Sequence, residues 1–176
     1  IASIWTDTNG TGDSGQIQIK ARDHFNLSDR SILSSEVSLG AIGNSKGVSI
    51  VSPNGEVTIA NDGLITAQTY GQGNAGNVLI QAGKLTFDNG IIITTIDELG
   101  HGASGTAKGG NITVEANELT LNNNATIQSG NLGLGDAGDI HLTVANAFTL
   151  NQGRIFTAVG KNAQGNGGNI DILSGS

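Results

Sequence analysis

The chain has 176 residues, with 28 Gly against a single Pro, no Cys and no Met, enough length for one domain of ordinary size. Lys and Arg total 8 against 15 Asp and Glu, a formal charge of −7, which withholds the basic surface that nucleic acid or an anionic membrane requires. Disulfides and thiolate metal sites are excluded, no apolar run is long enough to span a bilayer as a helix, and Gly at every third position, as collagen demands, does not occur.

Aromatic residues are only 3% of the chain, so any core is aliphatic. In chain order, Trp5 comes first, followed by GQIQI at 15–19, a small or polar opening ahead of apolar–x–apolar. That pattern returns as GVSI (47–50), GNVLI (76–80), GNITV (110–114), GDIHL (138–142) and GNIDI (168–172). Its first apolar residues, Ile17, Val48, Val78, Ile112, Ile140 and Ile170, are separated by 31, 30, 34, 28 and 30 positions. A second pair follows each time: Phe25/Leu27, Val57/Ile59, Leu85/Phe87, Leu119/Leu121 and Phe148/Leu150. Six positions beyond each pair stands one more apolar residue, Leu33, Ile65, Ile93, Ile127 and Phe156. Trp5 occupies the same place one unit earlier.

Apolar–x–apolar is the period of a strand with one buried face. Three short strands cannot bury a core alone, but stacked units share one and add a main-chain ladder to each neighbour. The reading is an all-β, right-handed parallel β-helix of about five turns of ~30 residues, three short strands per turn. It forms a single segment over 1–176, with turns at about 17–47, 48–77, 78–111, 112–139 and 140–169 between partial turns 1–16 and 170–176. Five charge-free inward columns are expected: Ile17-Val48-Val78-Ile112-Ile140-Ile170, Ile19-Ile50-Ile80-Val114-Leu142-Ile172, Phe25-Val57-Leu85-Leu119-Phe148, Leu27-Ile59-Phe87-Leu121-Leu150 and Trp5-Leu33-Ile65-Ile93-Ile127-Phe156.

The corners carry their own signature. Asp29, Asn61, Asn89, Asn123 and Gln152 follow the second pairs, while Gln16, Asn77, Asn111, Asp139 and Asn169 precede the first strands, with Gly47 the exception. Asn and Asp tolerate the left-handed region and bond to nearby backbone; in register they can form ladders. The connection from third to first strand varies most, and its longest copy (96–111) is the best placed to contact a ligand.

Motifs that carry chemistry are weak. GxGxxG occurs at 71–76, 100–105 and 133–138, but each match leads toward a strand and not into a helix N-terminus, so turn glycines are the reading. Asp97, Glu98 and His101 could in principle bind a divalent ion, though a solvated loop is the expectation. His141 and Asp171 would be neighbours on adjacent turns without a second carboxylate column. The outward column Asn26-Thr58-Thr86-Thr120-Thr149, with Thr6-Ser34-Thr66-Thr94-Gln128-Thr157 beside it, raises an ice-binding array, yet Thr is a favoured exposed strand residue. Sequons at Asn9, Asn26, Asn111 and Asn124 are what so much Asn, Ser and Thr produces by chance. The expectation is no catalytic, cofactor or metal residue and no enzyme.

The units GNAGNVLIQAGKLTFDNGIIITT (73–95), GGNITVEANELTLNNNATIQS (109–129) and GDIHLTVANAFTLNQGRIFTA (138–158) resemble the repeats of filamentous-haemagglutinin-like exoproteins, in a form similar to the cyanobacterial one. The resemblance spans roughly 43–172, with 12–42 a diverged copy. It implies export through an outer-membrane two-partner secretion pore and a role at the cell surface in adhesion, aggregation or filament formation. The expected location is secreted or cell-surface, without membrane insertion or nucleic acid. The chain is expected to be a piece of a larger exported protein, able to associate end to end through unpaired edges or to meet glycans. A polysaccharide-binding or polysaccharide-processing helix is the alternative.

Overall fold

The computed structural model describes residues 1–97 and 107–175. Strand β1 (Ser3–Trp5) is followed by β2 (Ile17–Lys20), β3 (His24–Leu27) and β4 (Ile32–Ser34). The second turn holds β5 (Val48–Ala60) and β6 (Leu64–Thr66), and the third β7 (Val78–Asp88) and β8 (Ile91–Ile96). Then come β9 (Ala107–Lys108), β10 (Ile112–Asn122), β11 (Thr126–Asn131), β12 (Gly135–Asp136), β13 (Ile140–Asn151), β14 (Arg154–Val159) and β15 (Ile170–Ser174). All the paired strands are parallel, and the chain is a β-solenoid of about five turns, roughly 30 residues each.

Equivalent strands stack in sequence order. One sheet runs β1-β4-β6-β8-β11-β14; the other runs β2-β5-β7-β10-β13-β15, with β3 also on β5. Only the first turn keeps the expected separation of its first two strands. In the next four turns both apolar pairs lie on one long strand, with Ser52, Ala82, Ala116 and Val144 buried in register between them.

The four columns drawn from the paired motifs are in register. Val78 pairs with Val48 and Ile112, and Ile112 with Ile140; Leu121 pairs with Phe87 and Leu150. Their central members, among them Ile50, Ile59, Ile80, Leu85, Phe87, Ile112, Leu119 and Leu121, are fully buried. Each apolar CH₂ so removed from water contributes about 0.8 kcal/mol.

The fifth column is corrected. Leu33 stacks on Ile4, not Trp5; Ile65 and Ile127 both stack on Ile92, not Ile93; and Ile127 meets Ile155, not Phe156. Trp5, Ile93 and Phe156 therefore face outward in a column with Ser34, Thr66 and Gln128. For Ile93 and Phe156 corner length is the cause. The corners after Leu27, Ile59 and Leu121 use two left-handed residues (Asp29-Arg30, Asn61-Asp62, Asn123-Asn124), whereas those after Phe87 and Leu150 use one, Asn89 and Gln152. One residue fewer shifts the following strand by one, which swaps its faces.

The expected outward column Thr6-Ser34-Thr66-Thr94-Gln128-Thr157 is split in the same way: Ser34, Thr66 and Gln128 face outward, whereas Thr6, Thr94 and Thr157 face inward. Thr94, Ser129 and Thr157 are in register, with Thr6 and Ser35 at the corresponding place in earlier turns. Their hydroxyls donate to the carbonyl of the glycine that opens each first strand: Thr6 and Ser35 to Gly15 (2.7 and 2.9 Å), Thr94 and Ser129 to Gly110 (2.6 and 3.0 Å) and Thr157 to Gly168 (2.7 Å). Hydroxyls suit this column because a buried main-chain oxygen needs a donor. At Gly110 a Cβ would collide with the carbonyl of Gly76 in the turn before.

Candidate functional site

Where the long strands bend, the outer surface forms a shallow trough running along several turns. One part is lined by Pro53, Gln81, Ala82, Glu115, Ala116, Asn117, Thr143 and Ala145. A second part, lined by residues that include Asn54, Glu56, Lys84, Glu118 and Asn146, meets the first at Asn117. Its uneven rim comes from corner length. Between Ser52 and Glu56 the second turn carries Pro53, Asn54 and Gly55 where the third has only Gly83 between Ala82 and Lys84. Pro53, Ala82, Ala116, Thr143 and Ala145 line the first part with Gln81 and Glu115, while the second is lined chiefly by charged and amide side chains. Glu115 accepts a hydrogen bond from the Gln81 amide (2.7 Å), and Lys84 pairs with Glu56 (3.3 Å). Glu118 sits in register with Lys84.

A second polar cluster lies on the outer side of the other sheet. Asp7 accepts hydrogen bonds from the Ser34 hydroxyl (2.7 Å) and the Glu36 amide (2.9 Å), and Glu36 accepts one from the Thr66 hydroxyl (2.6 Å). Tyr70 donates to the Gln68 side chain (3.3 Å). Burial raises the Glu36 carboxyl above the usual glutamate range, opposed by the Thr66 bond and reinforced by Asp7. Burial, then Glu36 and Asp97, push the Tyr70 phenol up to about 12. Each carboxylate reaches up to a hydroxyl one turn on, so the cluster ties turns together.

The corner side chains form ladders of two kinds. Asn77 Oδ1 accepts the main-chain N–H of Asn111 (2.8 Å), Asn111 that of Asp139 (2.9 Å), and Asp139 that of Asn169 (2.7 Å). A parallel ladder links Asp13 to Asn44 (2.7 Å), Asn44 to Asn74 (3.0 Å) and Asn74 to Lys108 (2.8 Å). In both, a backbone N–H donates to a side-chain oxygen of the turn before, whereas at the corners after the second pairs side chains bond each other: the Asn61 amide donates to Asp29 (3.2 Å), Asn89 to Asp62 (2.7 Å) and Asn123 to Asp88 (2.5 Å). At the start of the second ladder, hydrogen bonds from Lys46 and then Asn44 hold Asp13 down at about 2.

His141 and Asp171 do meet, Nδ1 to carboxylate oxygen at 3.1 Å on adjacent turns, with side chains 44% and 70% exposed. The outward Asn26-Thr58-Thr86-Thr120-Thr149 column is in register. The GxGxxG matches at 71–76 and 133–138 lead into strands. Their second glycines, Gly73 and Gly135, have φ of +142° and +149°, and a Cβ on either would strike a carbonyl of the preceding turn, so stacking accounts for them. Glu98, His101 and the 100–105 match lie outside the described residues. Among those described, no group of three His, Asp or Glu side chains is placed to hold a metal ion.

Two features were missed from sequence: the trough and the stacked pair Asp7 and Glu36. The first had a signal in the unequal connections between the first and second apolar pairs. The second was masked by the one-residue error at Trp5, which set the wrong face outward. Compared with protein-family models, curated proteins and solved structures, the chain gives no match to any of the three.

Proposed function

We propose that this chain is a rigid segment of an exported, filamentous-haemagglutinin-like exoprotein, working by extension and contact at the cell surface in adhesion or aggregation and not by catalysis. One observation carries this reading. Sheet pairing, the corner ladders and the Ser35 and Ser129 hydroxyls of the inward column all bond one turn to its neighbour along one axis. A load applied along the axis is then shared by many parallel bonds, while the long polar faces stay open for weak, repeated contacts. End-to-end stacking of copies and contact with glycans belong to the same reading.

Beads carrying the chain test it, scored for adhesion to cell surfaces and to immobilised polysaccharides. Retention above that of beads carrying an unrelated β-protein is expected. No turnover is expected on acidic or neutral polysaccharides; turnover abolished by His141→Ala would reverse the conclusion.

A further inference from the structure

We infer that Asn9 is a site of spontaneous covalent modification, deamidated by attack of the Gly10 main-chain nitrogen to give aspartate and isoaspartate. Asn-Gly favours this attack, because Gly brings no Cβ to crowd the approaching nitrogen. The chain holds four such pairs, at 9–10, 54–55, 89–90 and 166–167, and the fold treats them differently. Asn89 donates its amide to Asp62 (2.7 Å). Asn166 gives both its amide and its main-chain N–H to Asp136 (2.9 and 2.7 Å). At 54–55 the side chain is exposed, but Gly55 is buried, and a Cβ there would stand 2.3 Å from the Asp23 carbonyl, so the main chain is held against the turn before. Asn9-Gly10 alone among the four is open at every atom the reaction uses.

The second turn is the reason. Thr8 bridges Val37 and Thr11 bridges Ile42, so the second turn takes five steps where the first takes three. Gly10 faces that turn, since its carbonyl accepts the Ile42 N–H (2.9 Å). The extra residues carry the next acceptor away, and the Gly10 N–H has no main-chain partner among the described residues. A Cβ on Gly10 would meet nothing within 4 Å, and the Asn9 side chain is exposed. In the reaction the Gly10 nitrogen bonds to Asn9 Cγ and loses its proton. The Cγ–Nδ2 bond breaks, ammonia leaves and a five-membered imide closes. Water then opens either imide C–N bond, giving aspartate or, where the main chain now runs through Cγ, isoaspartate; nothing is oxidised or reduced. Each event adds one negative charge to the formal −7, and the isoaspartyl form lengthens the main chain between the two bridges. The modification does not depend on whether the chain is adhesive.

The test is to hold the folded 176-residue chain at neutral pH, sample it over time and map its peptides by mass spectrometry, with labelling by an isoaspartyl methyltransferase as a second readout. Asn89 and Asn166 must first break a hydrogen bond to a carboxylate, so Asn9 should convert roughly tenfold or more faster than either. Asn54 should lag as well, because its glycine cannot move. In urea strong enough to unfold the chain the four rates should converge, since each pair then sits in open chain. Asp136→Ala should speed Asn166 toward the Asn9 rate, and Gly10→Ala should slow Asn9, with circular dichroism unchanged in both. An Asn9 rate no faster than the other three in the folded chain, or a lead of the same size in urea, would overturn the inference. Conversion of Asn9 to aspartate without any isoaspartate would also overturn it, because direct hydrolysis of the side-chain amide leaves the Gly10 nitrogen with no part.

Discussion

Ile127 lies over Ile92, although Ile127 follows the core residue Leu121 by six positions and Ile92 follows Phe87 by five. The difference is absorbed in the corner, where Asn123 and Asn124 are both left-handed and Asn89 stands alone. Ile92 is fully buried and Ile93 faces outward. Ile92→Ala should therefore cost 2–5 kcal/mol, as truncation of a packed Ile does, whereas Ile93→Ala should cost about 1 kcal/mol or less. Denaturant unfolding of the two variants measures this; equal losses would mean that the corner is wrongly placed.

Much of the stack was legible because apolar alternation survives where both ends of a segment are tied to the core. Val48 to Ile59 and Ile112 to Leu121 could be aligned from their chemistry alone, since a slip would bury Glu115 or expose Val114. Past the corner the alternation became ambiguous. Ile91, Ile92 and Ile93 are all apolar, and so are Ile155 and Phe156, so no polar neighbour marked the outward face. The deciding quantity was the number of left-handed residues in the turn, and Asn-Gly in 89–90 reads much like Asn-Asp-Gly in 61–63. The trough escaped notice for a different reason. Its shape depends on how far the second-turn corner, Pro53 to Gly55, protrudes beyond its neighbours, and spacing alone does not give direction.

The corner ladder predicts graded effects. Asn111 both donates its N–H to Asn77 and accepts that of Asp139. Asn111→Ala removes only the acceptor, at an exposed site where water can replace it, so the expected loss is about 0.5–1.5 kcal/mol. Hydrogen exchange at the Asp139 amide is the sharper readout: it should accelerate selectively, with amides of the central columns still protected. An unchanged Asp139 rate would remove the ladder from the list of axial bonds.

Glu36 and Tyr70 predict a pH response. Burial raises Glu36, so the folded chain holds its proton more tightly than the unfolded one; that stabilisation is complete below the ordinary glutamate range and is lost as pH rises through the raised folded value. Glu36→Gln should match the parent chain in acid and be more stable at neutral pH. For Tyr70 the same sign holds higher up: stability is retained below the ordinary tyrosine value and lost as pH rises through about 12. Tyr70 is the only tyrosine, so an absorbance titration reports it alone. Its midpoint should fall in Glu36→Gln yet stay above an ordinary phenol, because burial is the largest cause. A melting difference that does not change with pH would contradict this account.

The two ends of the described stack present apolar side chains to solvent. Trp5 is 65% exposed at one, and Ile170, Ile172 and Leu173 are 41%, 44% and 69% exposed at the other. Ile170 and Ile172 continue the columns that begin with Ile17 and Ile19. A second copy stacked head to tail would thus extend both columns in register and complete the open ladders, and such a contact does not close on itself, so it propagates as a filament. For the 176-residue chain, sedimentation coefficients should rise with concentration, and the emission of its single tryptophan should shift to the blue as Trp5 becomes covered. Ile172→Lys places a charge where the next turn would sit; it should hold the chain monomeric with its circular dichroism unchanged. A parent chain that stays monomeric at high concentration, with Trp5 emission still that of a solvated indole, would rule out the end-to-end contact.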